Sequence, residues 1–181
     1  MYLSQQQIDD YQSNGAIIIK DIFQEWVEPL RNGFQKVLDN PSKHGRENVS
    51  KDNGRFFEDY CNWERVEEFK NCMFNSAAAQ IIAEATNSKS IQIFHDHLFI
   101  KESGTNKETP WHQDMPYYCV DGNDTGSFWI PLDEVNKDNN LKLILGSHKW
   151  KRLLKPTKWS NNQPWYQDDS LFMSLPKIEE F

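Results

Sequence analysis

Trp111-His112-Gln113-Asp114 is the stretch from which the rest of the chain is read. Side chains along a strand alternate faces, so on a strand His112 and Asp114 project to one side and Gln113 to the other. An imidazole and a carboxylate so placed are two of the three ligands of the facial site that holds non-haem Fe(II), with positions left open for a cosubstrate and O2. By pattern alone, a His and an Asp near a strand end are more often a surface pair than a metal arm. Outward from this stretch lie short apolar runs at 91–101, 127–132 and 141–145, divided by Gly104, Asp121-Gly122, Gly126 and Asn139-Asn140. They read as strands of an antiparallel sheet system.

Before residue 88 the texture is helical. Ser4 is placed to cap a helix over 5–12, Asn14-Gly15 makes a turn, and Ala16-Ile17-Ile18-Ile19 reads as a buried strand. Trp26, Val27, Leu30, Phe34, Val37 and Leu38 fall at three- and four-residue steps, which gives a helix with one face on a core, its regular part starting near Pro29. Residues 40–54 form a polar loop, and further helix is expected around 63–69 and 76–86 with Ser76 as N-cap. Helices first and strands afterwards imply an α+β layout, with the helices on one side of a sandwich or barrel.

The chain has 181 residues, enough for one domain with a real core. Its 20 Lys+Arg against 27 Asp+Glu give a net charge of −7 without a basic run, which leaves nothing for nucleic acid or an anionic membrane and points to a small-molecule partner. Cys61, Cys72 and Cys119 are an odd number without a CxxC and are read as free thiols. With no charged and apolar leader at Met1 and no long apolar run, the expected location is the cytoplasm.

Four segments carry a more specific signal: residues 101–105, Pro110-Trp111-His112-Gln113-Asp114-Met115-Pro116-Tyr117-Tyr118, Ser127-Phe128-Trp129-Ile130-Pro131-Leu132-Asp133, and Gly146-Ser147-His148-Lys149-Trp150. In this order and at these spacings the chain resembles the phytanoyl-CoA dioxygenase family, weakly also through residues 4–20, Gly54-Arg55-Phe56-Phe57 and Phe94-His95-Asp96-His97-Leu98-Phe99. The resemblance implies a double-stranded β-helix (jelly-roll, cupin-like) core. It also implies Fe(II), with 2-oxoglutarate as cosubstrate, and hydroxylation of a small organic substrate. His112 and Asp114 match the family's first two iron ligands. Trp129 matches an aromatic beside the 2-oxoglutarate site, and His97 lies on the strand facing that cosubstrate. A core aromatic accounts for Trp129 as well, and a hydrogen-bonded core histidine for His97.

The sequence departs from the family towards its end. The second iron-binding His and the Arg that pairs with 2-oxoglutarate have no counterpart after His148 and Arg152, and His148 itself matches a turn residue. The expectation is a single oxygenase-like domain over 1–181. Residues 1–88 form its mainly helical part with one strand, 89–150 carry the jelly-roll strands, and 151–181 form a loop or lid after which core strands are missing. Such an incomplete core would leave an exposed sheet edge prone to self-association. Two alternatives stand beside it: an inactive remnant that still binds a ligand or partner, and an aromatic-rich jelly-roll module that stacks carbohydrate on Trp159, Trp165 and Tyr166.

Overall fold

The computed structural model describes residues 1–48, 54–122, 124–159, 161–168 and 170–181. The expected 40–54 loop is seen as far as residue 48, and its remainder, 49–53, lies outside the described residues.

The first helix, α1 (Gln5–Asn14), starts on a capping box: Gln7 N–H donates to the Ser4 hydroxyl at 3.2 Å, and Ser4 N–H donates to the Gln7 side chain at 2.9 Å. Gly15 ends it with φ +82°, a conformation that favours glycine. After a 3-10 turn at Gln24–Trp26 comes α2 (Val27–Asp39), with Pro29 in its first turn, where a missing N–H costs nothing. Then follow α3 (Glu67–Asn75) and α4 (Ala78–Thr86). Ser76 sits between these two, its hydroxyl accepting from Ala78 N–H at 3.3 Å.

A three-stranded antiparallel sheet in the order β1 (Arg46–Glu47), β2 (Phe56–Tyr60), β3 (His97–Lys101) divides the molecule. In its register Phe57 lies opposite Ile100 and Asp59 opposite Leu98, while Glu58 faces Phe99 and Tyr60 faces His97. Cross-strand partners share a face. One face therefore supplies Phe57 and Leu98 to a core with Leu30, Val37, Val66, Phe69 and Cys72 from α2, α3 and the turn before it. Gly33 lets α2 and α3 approach, since a Cβ there would stand 2.5 Å from the Phe69 ring. A smaller core joins Leu3, Ile81 and Ala85, with Ile17 and Ile19 packed on it. A two-residue parallel pair, β4 (Leu153–Leu154) with β5 (Phe172–Met173), completes the described strands.

The architecture is thus a mixture of helix and sheet, and several expected strands are not in ladders. Residues 16–19 pair with no strand; Ile17 and Ile19 turn inward while Ile18 is 85% exposed, so the run is half buried and not wholly buried as expected. In the expected 91–101 strand only His97–Lys101 pairs. Residues 111–114, 127–132 and 141–145 are extended or turned chain without a ladder. A strand is stable only when its backbone pairs with another, and these segments form no such ladder with any described segment. Leu141, Leu143 and Leu145 are consequently exposed. Among the described residues no helix is long and apolar enough to cross a membrane.

Candidate active site

His112 and Asp114 converge while Gln113 turns away, as side chains of an extended segment do, although residues 111–114 pair with no described strand. Asp114 (φ −71°, ψ −39°) then leads into the 3-10 turn Met115–Tyr117. His112 Nε2 stands 3.3 Å from Asp114 Oδ1. The other ring nitrogen, Nδ1, is 2.7 Å from the Pro110 carbonyl. A carbonyl can only accept, so Nδ1 carries a proton; in the metal-free chain Nε2, which faces the Asp114 carboxylate, carries one too, and a metal ion would take the place of that second proton. This is the arrangement by which metal-binding histidines are oriented. Two donors each ~2.1–2.2 Å from one ion and about 100° apart are about 3.3 Å from one another, so the pair fits two adjacent positions of a coordination sphere. Among the described residues no group of three His, Cys, Asp or Glu side chains is placed to hold a metal.

The electrostatics follow from these contacts. Hydrogen bonding with His112, against burial, holds the Asp114 carboxyl below its ordinary value, with Tyr118 and His97 adding to the effect. Burial pushes His112 towards its neutral form, but Asp114 and the Pro110 carbonyl outweigh it, and the imidazole ends above its ordinary value. Tyr118 is pushed up to about 12 by burial and by the Asp114 charge.

The sheet supplies the opposite wall. His97 lies on β3 and stacks on Tyr60 of β2, with ring centres 4.1 Å apart, and its Nε2 is 3.3 Å from Oε2 of the buried Glu58. Burial alone would raise the Glu58 carboxyl; contacts with His97, Asn48 and Tyr60 more than reverse this, so it stays below the usual value. The Trp159 ring bridges the walls, 5.0 Å from His112 and 6.0 Å from His97. A hairpin-like loop holds it there, with Thr157 bridged to Pro164 and Trp165 N–H donating to the Pro156 carbonyl at 3.0 Å.

Of the residues named from sequence, His97, His112 and Asp114 surround Trp159 or one another, whereas Trp129 is 40% exposed and has no ring contact with them. Gln113 points away from the site as expected, donating to the Ser147 carbonyl at 3.0 Å and accepting from Leu154 N–H at 2.9 Å. His148 belongs to another place: its Nε2 is 3.2 Å from the Gln12 carbonyl at the end of α1. The proposed carbohydrate platform is divided, since Trp159 faces His112, Trp165 packs edge-on to Tyr117, and Tyr166 stacks on Phe172. Sequence reading missed Glu58 and Tyr60. The signal lay in Phe56-Phe57-Glu58-Asp59-Tyr60, where acids interrupt an aromatic run of strand length.

A hollow of about 60 Å³ reaches His112 and Gln113, bordered by Trp111, Ile144 and Leu154. A larger one, about 370 Å³, lies between Trp111, residues 143–145, Ile178 and Phe181, away from His112 and Asp114. The larger lies beside the chemistry, not at it.

Comparison with known proteins gives one family: the model for phytanoyl-CoA dioxygenase (PhyH) matches residues 11–176. No curated protein and no solved structure matches significantly. The match takes in nearly every element described above, including the segment that brings His112 to Asp114, and the chain belongs to the phytanoyl-CoA dioxygenase family.

Proposed function

We propose that the chain acts as an Fe(II)- and 2-oxoglutarate-dependent oxygenase that hydroxylates a small organic substrate, with His112 and Asp114 as two of the iron ligands. Its strands are read as part of a jelly-roll core. The observation that carries the proposal is the 3.3 Å approach of Nε2 to Oδ1 with Nδ1 already tied to the Pro110 carbonyl. Bound there, the metal with its cosubstrate supplies the oxidising power that an unactivated C–H requires. The protein's part is orientation and shielding. Pro110 holds the His112 ring through Nδ1, Tyr118 supports the Asp114 carboxylate, and Trp159 packs against the His112 ring. His97 and Trp129 are proposed to border the 2-oxoglutarate space, His97 from the sheet and Trp129 by its family position.

With two donors in place of three, iron binding by residues 1–181 should be weak and cosubstrate turnover low. Anaerobic titration of Fe(II) into the chain should show one site, lost in His112→Ala and in Asp114→Ala. Equal binding by the variants overturns the metal assignment. A second reading, a ligand-binding relative without turnover, is favoured by the two-donor geometry among the described residues. Succinate formation from 2-oxoglutarate in the presence of iron separates the two.

A further inference from the structure

Glu58 is 3% exposed, in the middle strand of the sheet and diagonal to His97 on the same face. A carboxylate taken so far from water is costly unless something donates to it. Among the described residues, Glu58 Oε2 and His97 Nε2 are both sealed from solvent, both without a directed hydrogen bond, and 3.3 Å apart. They stand at contact distance with angles short of a hydrogen bond, and Asn48 and Tyr60 are the other side chains that reach the Glu58 carboxyl. Tyr60, stacked at 4.1 Å, and Trp159, at 6.0 Å, hold the ring between them. An ionised carboxylate only accepts, so the nitrogen turned towards it must carry hydrogen, and in a neutral imidazole the other nitrogen is then an acceptor.

We propose that Glu58 is a positioning residue that fixes the His97 proton on Nε2, so that Nδ1 accepts a hydrogen bond from a hydroxyl or ammonium group of a ligand beside His112 and Asp114. The ligand half of this rests on the oxygenase reading; the tautomer does not. Ionised 2-oxoglutarate carries no donor for Nδ1, so it borders the His97 ring without a hydrogen bond to that nitrogen. The polar contact of His97 is therefore with the organic substrate, and that substrate carries a neutral or cationic donor. An equivalent carboxylate-bearing substrate would be disfavoured.

Nitrogen-15 spectra of the histidine rings in the metal-free chain at pH 8 test the tautomer, with His97 assigned by the signals lost in His97→Gln. The expected pattern is a protonated Nε2 and an unprotonated Nδ1, and loss of that distinction in Glu58→Met. Glu58→Gln, nearly the same shape, keeps the fold while allowing either tautomer, so both ring nitrogens should move towards intermediate values. A protonated Nδ1 in the native chain, or an unchanged pattern in a folded Glu58 variant, overturns the proposal. For the ligand half the probes are ethylammonium and acetate: ethylammonium should shift Nδ1, and an equal or larger shift with acetate refutes it. Failure of iron to bind leaves both results standing, so the two readings fail separately.

Discussion

The Tyr117 hydroxyl stands 2.9 Å from both backbone groups of Thr157, accepting from its N–H and donating to its carbonyl. One phenol thus does for Thr157 what a neighbouring strand would do, and it fastens the loop that carries Trp159 to the turn that carries Asp114. Tyr117→Phe removes both bonds and leaves a half-buried N–H and C=O to find water. The expected cost is about 1–3 kcal/mol. Amide hydrogen exchange should accelerate at Thr157 and Trp165 before the rest of the chain, and unchanged protection there would show that the loop is held by something else.

Asp59 is fully buried and accepts from Ser42 N–H at 2.8 Å, from the Ser42 hydroxyl and from Tyr60 N–H at 2.7 Å, with Arg65 at 3.8 Å. Burial alone would raise its carboxyl, but the bonds from Ser42 and Tyr60 win and hold it below the ordinary value. A carboxyl lowered on folding adds stability above its unfolded pKa of about 3.9 and loses that contribution as pH falls through the lower folded value. Asp59→Asn should therefore cost about 2–3 kcal/mol at pH 7 and less at pH 3, measured by urea unfolding. A penalty independent of pH would show that the site depends on shape and not on charge.

Gly15 has φ +82°, and a Cβ there would stand 2.3 Å from His148 Nδ1. The imidazole occupies that space because it packs on the end of α1, where Gly146 N–H also donates to the Asn14 carbonyl at 2.7 Å. Gly15→Ala should destabilise the chain by about 1–3 kcal/mol through backbone strain and displacement of the ring. His148→Ala combined with it should recover part of the loss, because the clash is removed and only the strain remains. Equal loss in the double variant would place the whole cost in the backbone.

Gln113 joins the arm bearing His112 to Ser147 and to Leu154 through one side-chain amide. Gln113→Leu should lower Fe(II) affinity about tenfold by loosening the two donors flanking it, as loss of outer supports does at metal sites. Titration of iron into the variant, with urea unfolding alongside, separates this from general destabilisation. Full affinity in the folded variant would mean that the Pro110 carbonyl suffices to hold the arm.

What could be read from sequence was local. The capping box at Ser4 and Gln7, the apolar spacing from Trp26 to Leu38 and the pairing of an imidazole with a carboxylate across Gln113 need only neighbouring residues, and the structure contains each of them. What is missing is the ladder expected around the pair: residues 111–114 join no described strand, and Asp114 leads into a 3-10 turn.

The strands were a different matter. Residues 16–19, 127–132 and 141–145 have strand composition, yet a strand exists only where another chain segment completes its hydrogen bonds, and composition does not name the partner. The sequence by itself determined α1, α2 and α4, the family and the His112–Asp114 pairing, whereas the helix expected around 63–69 is set later, at Glu67–Asn75. Only the tertiary structure set Glu58 against His97 and Trp159 over His112, because both contacts join segments dozens of residues apart through sheet register and a loop clamp. Burial decides what such contacts mean: the carboxylate of Glu58 is an ordinary charge in the sequence and a constraint on His97 once water is excluded.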